Sequence, residues 1–158
     1  MALGDECRVL GVHVLLAPAS ISSEIRGAGA TSSTSPRIPC CPGVLGAAWV
    51  RGVQSRGVAA SVKHFAANNA EFDRMRASSD IDERSLREIY LRAFEFVVRQ
   101  ARPWSLMCSY NRINGVYAAE NTWLLTDVLR GRVGVSTGWW SAIGARWPTG
   151  SRRSPPGW

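Results

Sequence analysis

The apolar positions of this chain fall into short blocks of different period. Gly11–Pro18 (GVHVLLAP) is a continuous apolar run closed by proline, the pattern of a buried strand. Val44–Gln54 sets Val44, Ala47, Ala48, Val50 and Val53 at helical spacing and predicts a helix ending near Gly57. Val58, Ala59, Ala60 and Val62 then form a β-prone run into Lys63 and His64. Asp82–Ala101 is the clearest helical pattern. Leu86, Ile89, Tyr90, Ala93, Phe94 and Val97 share one face, Asp82 is placed to cap the first turn, and Pro103 stops the helix. Trp104–Ser109 is another buried run, followed by Tyr110 and Asn111. Asn114-Gly115 marks a turn, and Glu120–Leu129 predicts a helix with Trp123, Leu124, Val128 and Leu129 on one side.

The order strand, helix, strand, helix, strand, helix implies parallel strands joined by crossover helices, an α/β fold. Two stretches break the pattern. Ser20–Pro42 is rich in Ser, Thr, Gly, Ala and Pro and carries no aromatic residue. Gly131–Trp158 is Arg, Gly, Pro, Ser and Trp without period. Either would be read by itself as loop or disorder.

Chemistry concentrates where the strands end. Ser61–Arg74 (SVKHFAANNAEFDR) passes from a buried strand into Lys63 and His64, then into the amides Asn68 and Asn69 and the charges Glu71, Asp73 and Arg74. The other strand ends in Ser109, Tyr110 and Asn111. Enzymes built on parallel barrels place their sites at this C-terminal end of the strands. The plainer alternative is that Lys63 and His64 are ordinary polar residues at a strand end.

Composition then narrows the field. A chain of 158 residues with 46% apolar content suits one globular domain. The net charge of +7 suggests nucleic acid until it is located. Residues 43–130 hold 12 basic and 9 acidic side chains, whereas residues 131–158 hold four arginines and no acid. The excess is largely a tail property, not a basic stripe on a folded face. Tryptophans among those arginines could suggest a nucleic-acid arm, but translation of this stretch out of frame accounts for them better. Lys63 is the only lysine, and an arginine-dominated basic set points to a GC-rich gene. Cys7, Cys40, Cys41 and Cys108 form no metal-binding spacing with His13 and His64, so they read as free thiols. No leader pattern opens the sequence and the longest apolar run, Val14–Ala19, is far short of a membrane span. The expectation is a protein without a membrane partner, its compartment open and the cytoplasm favoured.

Three separated motifs carry a resemblance: KHFAANNAEFDR, SSDIDERSLREIYLRAFEFVV and PWSLMCSYNRINGVYAAENTWLLTDVLR. Together they resemble the N-terminal barrel domain of family 3 glycoside hydrolases, in its bacterial β-glucosidase form. Relatives that cleave N-acetylglucosamine units carry Pro-Gly-His after Lys-His-Phe, where this chain has Ala66-Ala67-Asn68-Asn69. The resemblance covers residues 43–130 and, weakly, residues 3–18. It implies a partial (β/α)8 TIM barrel with irregular ends over residues 1–130, and a non-matching, disordered tail over 131–158. It also implies retaining hydrolysis of terminal β-glucosyl residues, a small carbohydrate or β-glucoside as partner, and no metal or organic cofactor. Lys63 and His64 resemble the family pair that grips glycone hydroxyls, Arg74 its loop arginine, and Tyr110 the tyrosine beside the nucleophile.

Retention needs two carboxyl groups roughly 5–5.5 Å apart. In the family the nucleophile is the aspartate of a Val-Val-Ser-Asp-Trp-Gly strand, which here should lie in residues 131–158, where there is no acid. The acid/base lies beyond the barrel. Glu71, Asp73, Asp80, Asp82, Glu83, Glu88 and Glu120 align with neither role, so the resemblance implies no catalytic residue in this chain.

The genetic code suggests why. Read from the third base of each codon, Val135–Ala145 (VSTGWWSAIGA) permits Phe-Asp-Gly-Val-Val-Val-Ser-Asp-Trp-Gly, with the aspartate straddling the Ala142 and Ile143 codons. The same offset turns Ala28–Cys41 (AGATSSTSPRIPCC) into Gly-Arg-Asn-Phe-Glu-Tyr-Leu-Ser-Glu-Asp-Pro-Leu-Leu, which resembles the family's arginine motif. Both segments are therefore expected to be out-of-frame readings of the parent gene, through a frameshift or a sequencing error. Two other readings are a non-catalytic sugar-binding remnant and a translated relic without function.

Overall fold

The computed structural model describes residues 2–16, 40–70, 72–133 and 139–141. Its centre is a parallel sheet of four strands, in the order β1-β2-β4-β7. Strand β2 (Ala59–Phe65) runs through the middle and is buried from Ala59 to Val62 and again at Phe65. Strand β4 (Ser105–Cys108) is buried at every position. Near-continuous burial is what a parallel strand covered on both faces requires. The polar exceptions satisfy each other, since Ser61 Oγ donates to Ser105 Oγ at 3.2 Å across the two strands.

Strand β1 (Val14–Leu15) pairs with β2 through Val14↔Ala59 and Leu15↔Ala60. It is narrower and wetter than the apolar run Gly11–Pro18 predicts, with Val14 46% exposed. Within the described sheet it lies at an edge, where only one side is covered. Ahead of it, helix α1 (Ala2–Val9) packs Gly4 closely on Arg56, and Asp5 meets that guanidinium at 3.2 Å.

Helix α2 (Cys40–Gln54) starts four residues before the predicted Val44 and carries Pro42 in its first turn, where a missing N–H costs nothing. Its buried face is Gly43, Ala47, Val50 and Val53, while Val44 and Ala48 face solvent. The predicted stripe is thus rotated, because Gly43 lets Phe96 approach to 3.1 Å of where a Cβ would stand. The turn beyond α2 ends at Gly57 with φ +74°, a conformation glycine adopts without steric cost.

The long helix predicted over Asp82–Ala101 is present as three continuous pieces. Helix α3 (Glu83–Ser85) begins at Asp82, whose carboxylate accepts from Ser85 N at 2.9 Å. The turns widen to π type over Leu86–Leu91, then α4 (Arg92–Ala101) runs to Arg102, whose φ of +47° ends it before Pro103. Phe94 meets Phe65 edge to face at 5.1 Å, which seats α4 on β2. Gln54 joins the layers: its amide nitrogen donates to the carbonyls of Ala101 and Arg102, and its oxygen accepts from Trp104 N at 2.9 Å. One side chain of α2 therefore satisfies orphan carbonyls at the end of α4 and fixes the chain as it enters β4.

A second, three-stranded sheet was not legible in the pattern. Strand β3 (Ser78–Ser79) pairs in parallel with β5 (Arg112–Ile113), which turns back on β6 (Val116–Tyr117). The turn is the expected Asn114-Gly115, with φ of +50° and +83°, the geometry of a two-residue hairpin. Helix α5 (Trp123–Arg132) has π-type turns and buries Leu124, Val128 and Leu129. Finally β7 (Trp139–Ser141) pairs in parallel with β4, through Ser105↔Trp139, Leu106↔Trp140 and Met107↔Ser141. This strand falls inside the stretch expected to be an irregular tail. The segment Ser20–Pro42 lies outside the described residues up to position 39.

Candidate functional site

The C-terminal ends of β2 and β4 meet at one edge of the parallel sheet. Their register shifts between Val62 and Phe65, at the residues that carry Lys63 and His64. Beyond the shift, Ser109 takes over the pairing. Its N–H donates to Phe65 O at 2.8 Å and its hydroxyl to Ala66 O at 2.7 Å. Ser109 is buried, and these two bonds fix the path of the chain leaving β2. Two residues on, Ala67 has φ +57°, unusual for a residue with a Cβ, and its carbonyl accepts from Ser79 Oγ at 2.9 Å. Asn69 donates to the Tyr90 hydroxyl at 3.1 Å. The amide-rich loop is thereby held at both ends.

That framework gathers the predicted residues. The rings of His64 and Tyr110 lie 6.3 Å apart, centroid to centroid, at 38°. The Arg74 guanidinium sits over the Tyr110 ring, 5.0 Å from its centroid, within cation–π range. Lys63 precedes His64 on β2 and is half-buried, as are His64 and Tyr110, while Arg74 is exposed. The structure thus joins His64, Arg74 and Tyr110 directly, with Lys63 on the same strand end. Cationic and hydroxyl-bearing groups converging on one opening can both donate to and accept from a hydroxyl-rich ligand.

Among the described residues, several groups that could act as nucleophile or acid are buried or already have partners. Burial pushes the Cys108 thiol up to about 12, so it keeps its proton at neutral pH. Ser109 spends its hydroxyl on Ala66. Asp73 pairs with Arg76 at 3.0 Å, Asp80 accepts from Ser78, Glu83 pairs with Arg87 and Glu88 with Arg84. The Asp82 carboxyl is held below its usual range by a bond from the Ser85 side chain and, after it, by the Ser85 N–H that caps the helix. Glu71 lies outside the described residues. Strand β7, the neighbour of β4, offers only Trp139, Trp140 and Ser141 over its described length.

Two contributors escaped the sequence reading. Arg112 and Tyr117 face each other across the β5–β6 hairpin, with the guanidinium 4.5 Å from the ring centroid and donating to the Tyr117 hydroxyl at 3.2 Å. The available signal was the Asn114-Gly115 turn, which sets residues 112 and 117 opposite each other in register.

A parallel sheet crossed by helices, with its polar cluster at the strands' C-terminal ends, defines a segment of an α/β-barrel domain. The profile of the Glycosyl hydrolase family 3 N terminal domain matches residues 1–138. The chain belongs to glycoside hydrolase family 3. It is 46% identical over 129 residues to the thermostable beta-glucosidase B of Acetivibrio thermocellus, a match covering 82% of this chain and 17% of that protein. It is 49% identical, over the same shares, to the exo-alpha-(1->6)-L-arabinopyranosidase of Bifidobacterium longum. Among solved structures, beta-glucosidase 3B of Thermotoga neapolitana in complex with glucose superposes with a TM-score of 0.83 at 45% identity, covering 88% of this chain and 19% of that one. The chain therefore spans about a sixth of the length of these curated relatives, and what it holds is part of a (β/α)8 barrel.

Proposed function

We propose that this chain carries the glycone-gripping half of a retaining β-glucosidase site and lacks the carboxylates that would cut the sugar. The observation that carries the reading is the Arg74 guanidinium stacked on Tyr110, with His64 beside the same ring. Lys63, His64, Arg74 and Tyr110 bind the sugar's hydroxyls, and no residue of the chain is catalytic. The beta-glucosidase names of the relatives, and the glucose in a solved neighbour, favour glucose as the sugar. The arabinopyranosidase relative keeps a pentopyranose in play as competitor.

Hydrolysis with retention needs a nucleophile and an acid/base. The carboxylates paired with Arg76, Arg87 and Arg84, and the one capping a helix, support inactivity. The offset reading is supported by the register of β7. Ser141 pairs with Met107, three residues before Tyr110, and the aspartate of the other frame straddles the Ala142 and Ile143 codons just beyond it. In that frame the nucleophile belongs to the strand next to β4.

Calorimetric titration of the purified chain with glucose is expected to show binding that Lys63→Ala abolishes. Absence of heat from a folded chain overturns the grip. Turnover of nitrophenyl β-glucoside overturns the inactivity. Resequencing the gene tests the offset: if no one-base change restores both motifs, that part of the reading fails.

A further inference from the structure

The loop carrying Arg74 is built as a tight turn around Asp73. Its backbone carbonyl accepts from Arg76 N and Ala77 N, both at 2.8 Å, while its carboxylate accepts from Arg76 Nε at 3.0 Å. Asp73 takes φ +50° to make the turn. These bonds lie within the loop, and another reaches it from the β5–β6 hairpin. The Tyr117 hydroxyl donates to the carbonyl of Met75, the residue after Arg74, at 3.4 Å. The oxygen of that hydroxyl accepts from Arg112 at 3.2 Å, which leaves its proton for the carbonyl. Arg112 follows Tyr110 by two residues, and its N–H donates to Ala77 O at 2.9 Å, at the far end of the same loop. The two partners of the cation–π pair, Tyr110 and Arg74, are therefore tied to one another through the Arg112–Tyr117 pair.

We propose that Tyr117 is a positioning residue for the sugar grip, holding the Arg74 loop through the Met75 carbonyl so that the guanidinium lies on Tyr110. This rests on the reading of Arg74 and Tyr110 as sugar-binding groups. The hydroxyl works together with Arg112, whose guanidinium stacks on the Tyr117 ring and would keep the ring in place without it.

Tyr117→Phe in the full chain removes the hydroxyl and keeps the ring. Two readouts separate the clamp from the sugar reading. The first is the Arg74 Nε–Hε resonance, assigned by its disappearance in Arg74→Lys. It is expected upfield in the parent chain, under the Tyr110 ring current, and displaced towards the free-arginine position in Tyr117→Phe. The second is glucose affinity by calorimetry, expected to weaken roughly 3- to 10-fold, the range of one modest hydrogen bond. A general loss of structure would instead move the amide spectrum throughout the sheet. An Arg74 resonance that is the same in both chains, or not upfield in the parent, overturns the clamp whatever glucose does. An upfield resonance that moves in Tyr117→Phe, in a parent chain that takes up no glucose, supports the clamp and overturns the sugar reading alone.

Discussion

Cys108 offers a quantitative test of how dry the floor of the site is. The residue ends β4 and pairs with Phe65 of β2, and burial raises its thiol from 9.0 to about 12. Below pH 9 the thiol is protonated in both folded and unfolded chains and adds no pH dependence. Between 9 and 12 the unfolded chain loses a proton that the folded chain keeps, so stability falls as pH rises. The slope is about 1.4 kcal/mol per pH unit, which makes the loss about 1.4 kcal/mol at pH 10. Cys108→Ala removes this term and leaves a small void, whose cost is about 1 kcal/mol and does not depend on pH. The variant is therefore expected to be the weaker chain at pH 7, to draw level near pH 10 and to be the stronger one above. Urea unfolding followed by tryptophan fluorescence at several pH values measures both chains. Their difference cancels the titration of the groups they share. A gap that stays constant from pH 8.5 to 10.5 would refute the burial argument. It would also reopen the thiol as a reactive group beside Tyr110.

Two further predictions concern the frame around the site. Phe65→Ala is expected to cost about 3–5 kcal/mol, because the ring is fully buried and meets Phe94 edge to face; a loss below about 1 kcal/mol by the same urea assay would contradict that packing. Asp82→Ala is expected to lower the melting temperature at pH 7, since Asp82 caps the helix that crosses from the site loop to β4. The folded-state pKa of Asp82 is depressed, so its contribution is present above the unfolded value near 3.8 and is lost as pH falls through the lower folded one. Melting curves that differ equally at pH 7 and pH 2 would show that the carboxylate is not the cap.

The elements that could be read in the sequence are those whose signal is local. The helix after Asp82 announces itself through a cap, a one-sided apolar stripe and Pro103 within about 20 residues. Strands β2 and β4 stand out because burial on both faces leaves a solid apolar block. The polar ends Lys63, His64 and Tyr110 were visible as interruptions of those blocks, and the family motifs added Arg74. The missed parts depend on distant partners. Strand β3 is two residues long and exists because Ser78 and Ser79 find Arg112 and Ile113 far along the chain. Strand β7 reads as Trp-Trp-Ser with no alternation, and its assignment comes from its register with β4. The stripe of α2 turned because Phe96, on another helix, needs the space at Gly43. The bonds that join Tyr117 to Met75 and Asn69 to Tyr90 link residues far apart in sequence, which no periodicity encodes.

The four residues proposed to grip the sugar share one further property. Lys63, His64, Arg74 and Tyr110, with the β5–β6 hairpin, all fall between the start of β2 and the end of β6, a single stretch of chain crossed by one long helix. Groups that cleave a glycosidic bond belong, in the proposed reading, to other strands and another domain. Recognition is thus modular with respect to chemistry. In that reading a disturbance of the gene beyond β6 removes the cutting groups and leaves the holding groups in place, so loss of turnover and loss of ligand capture become separately heritable traits.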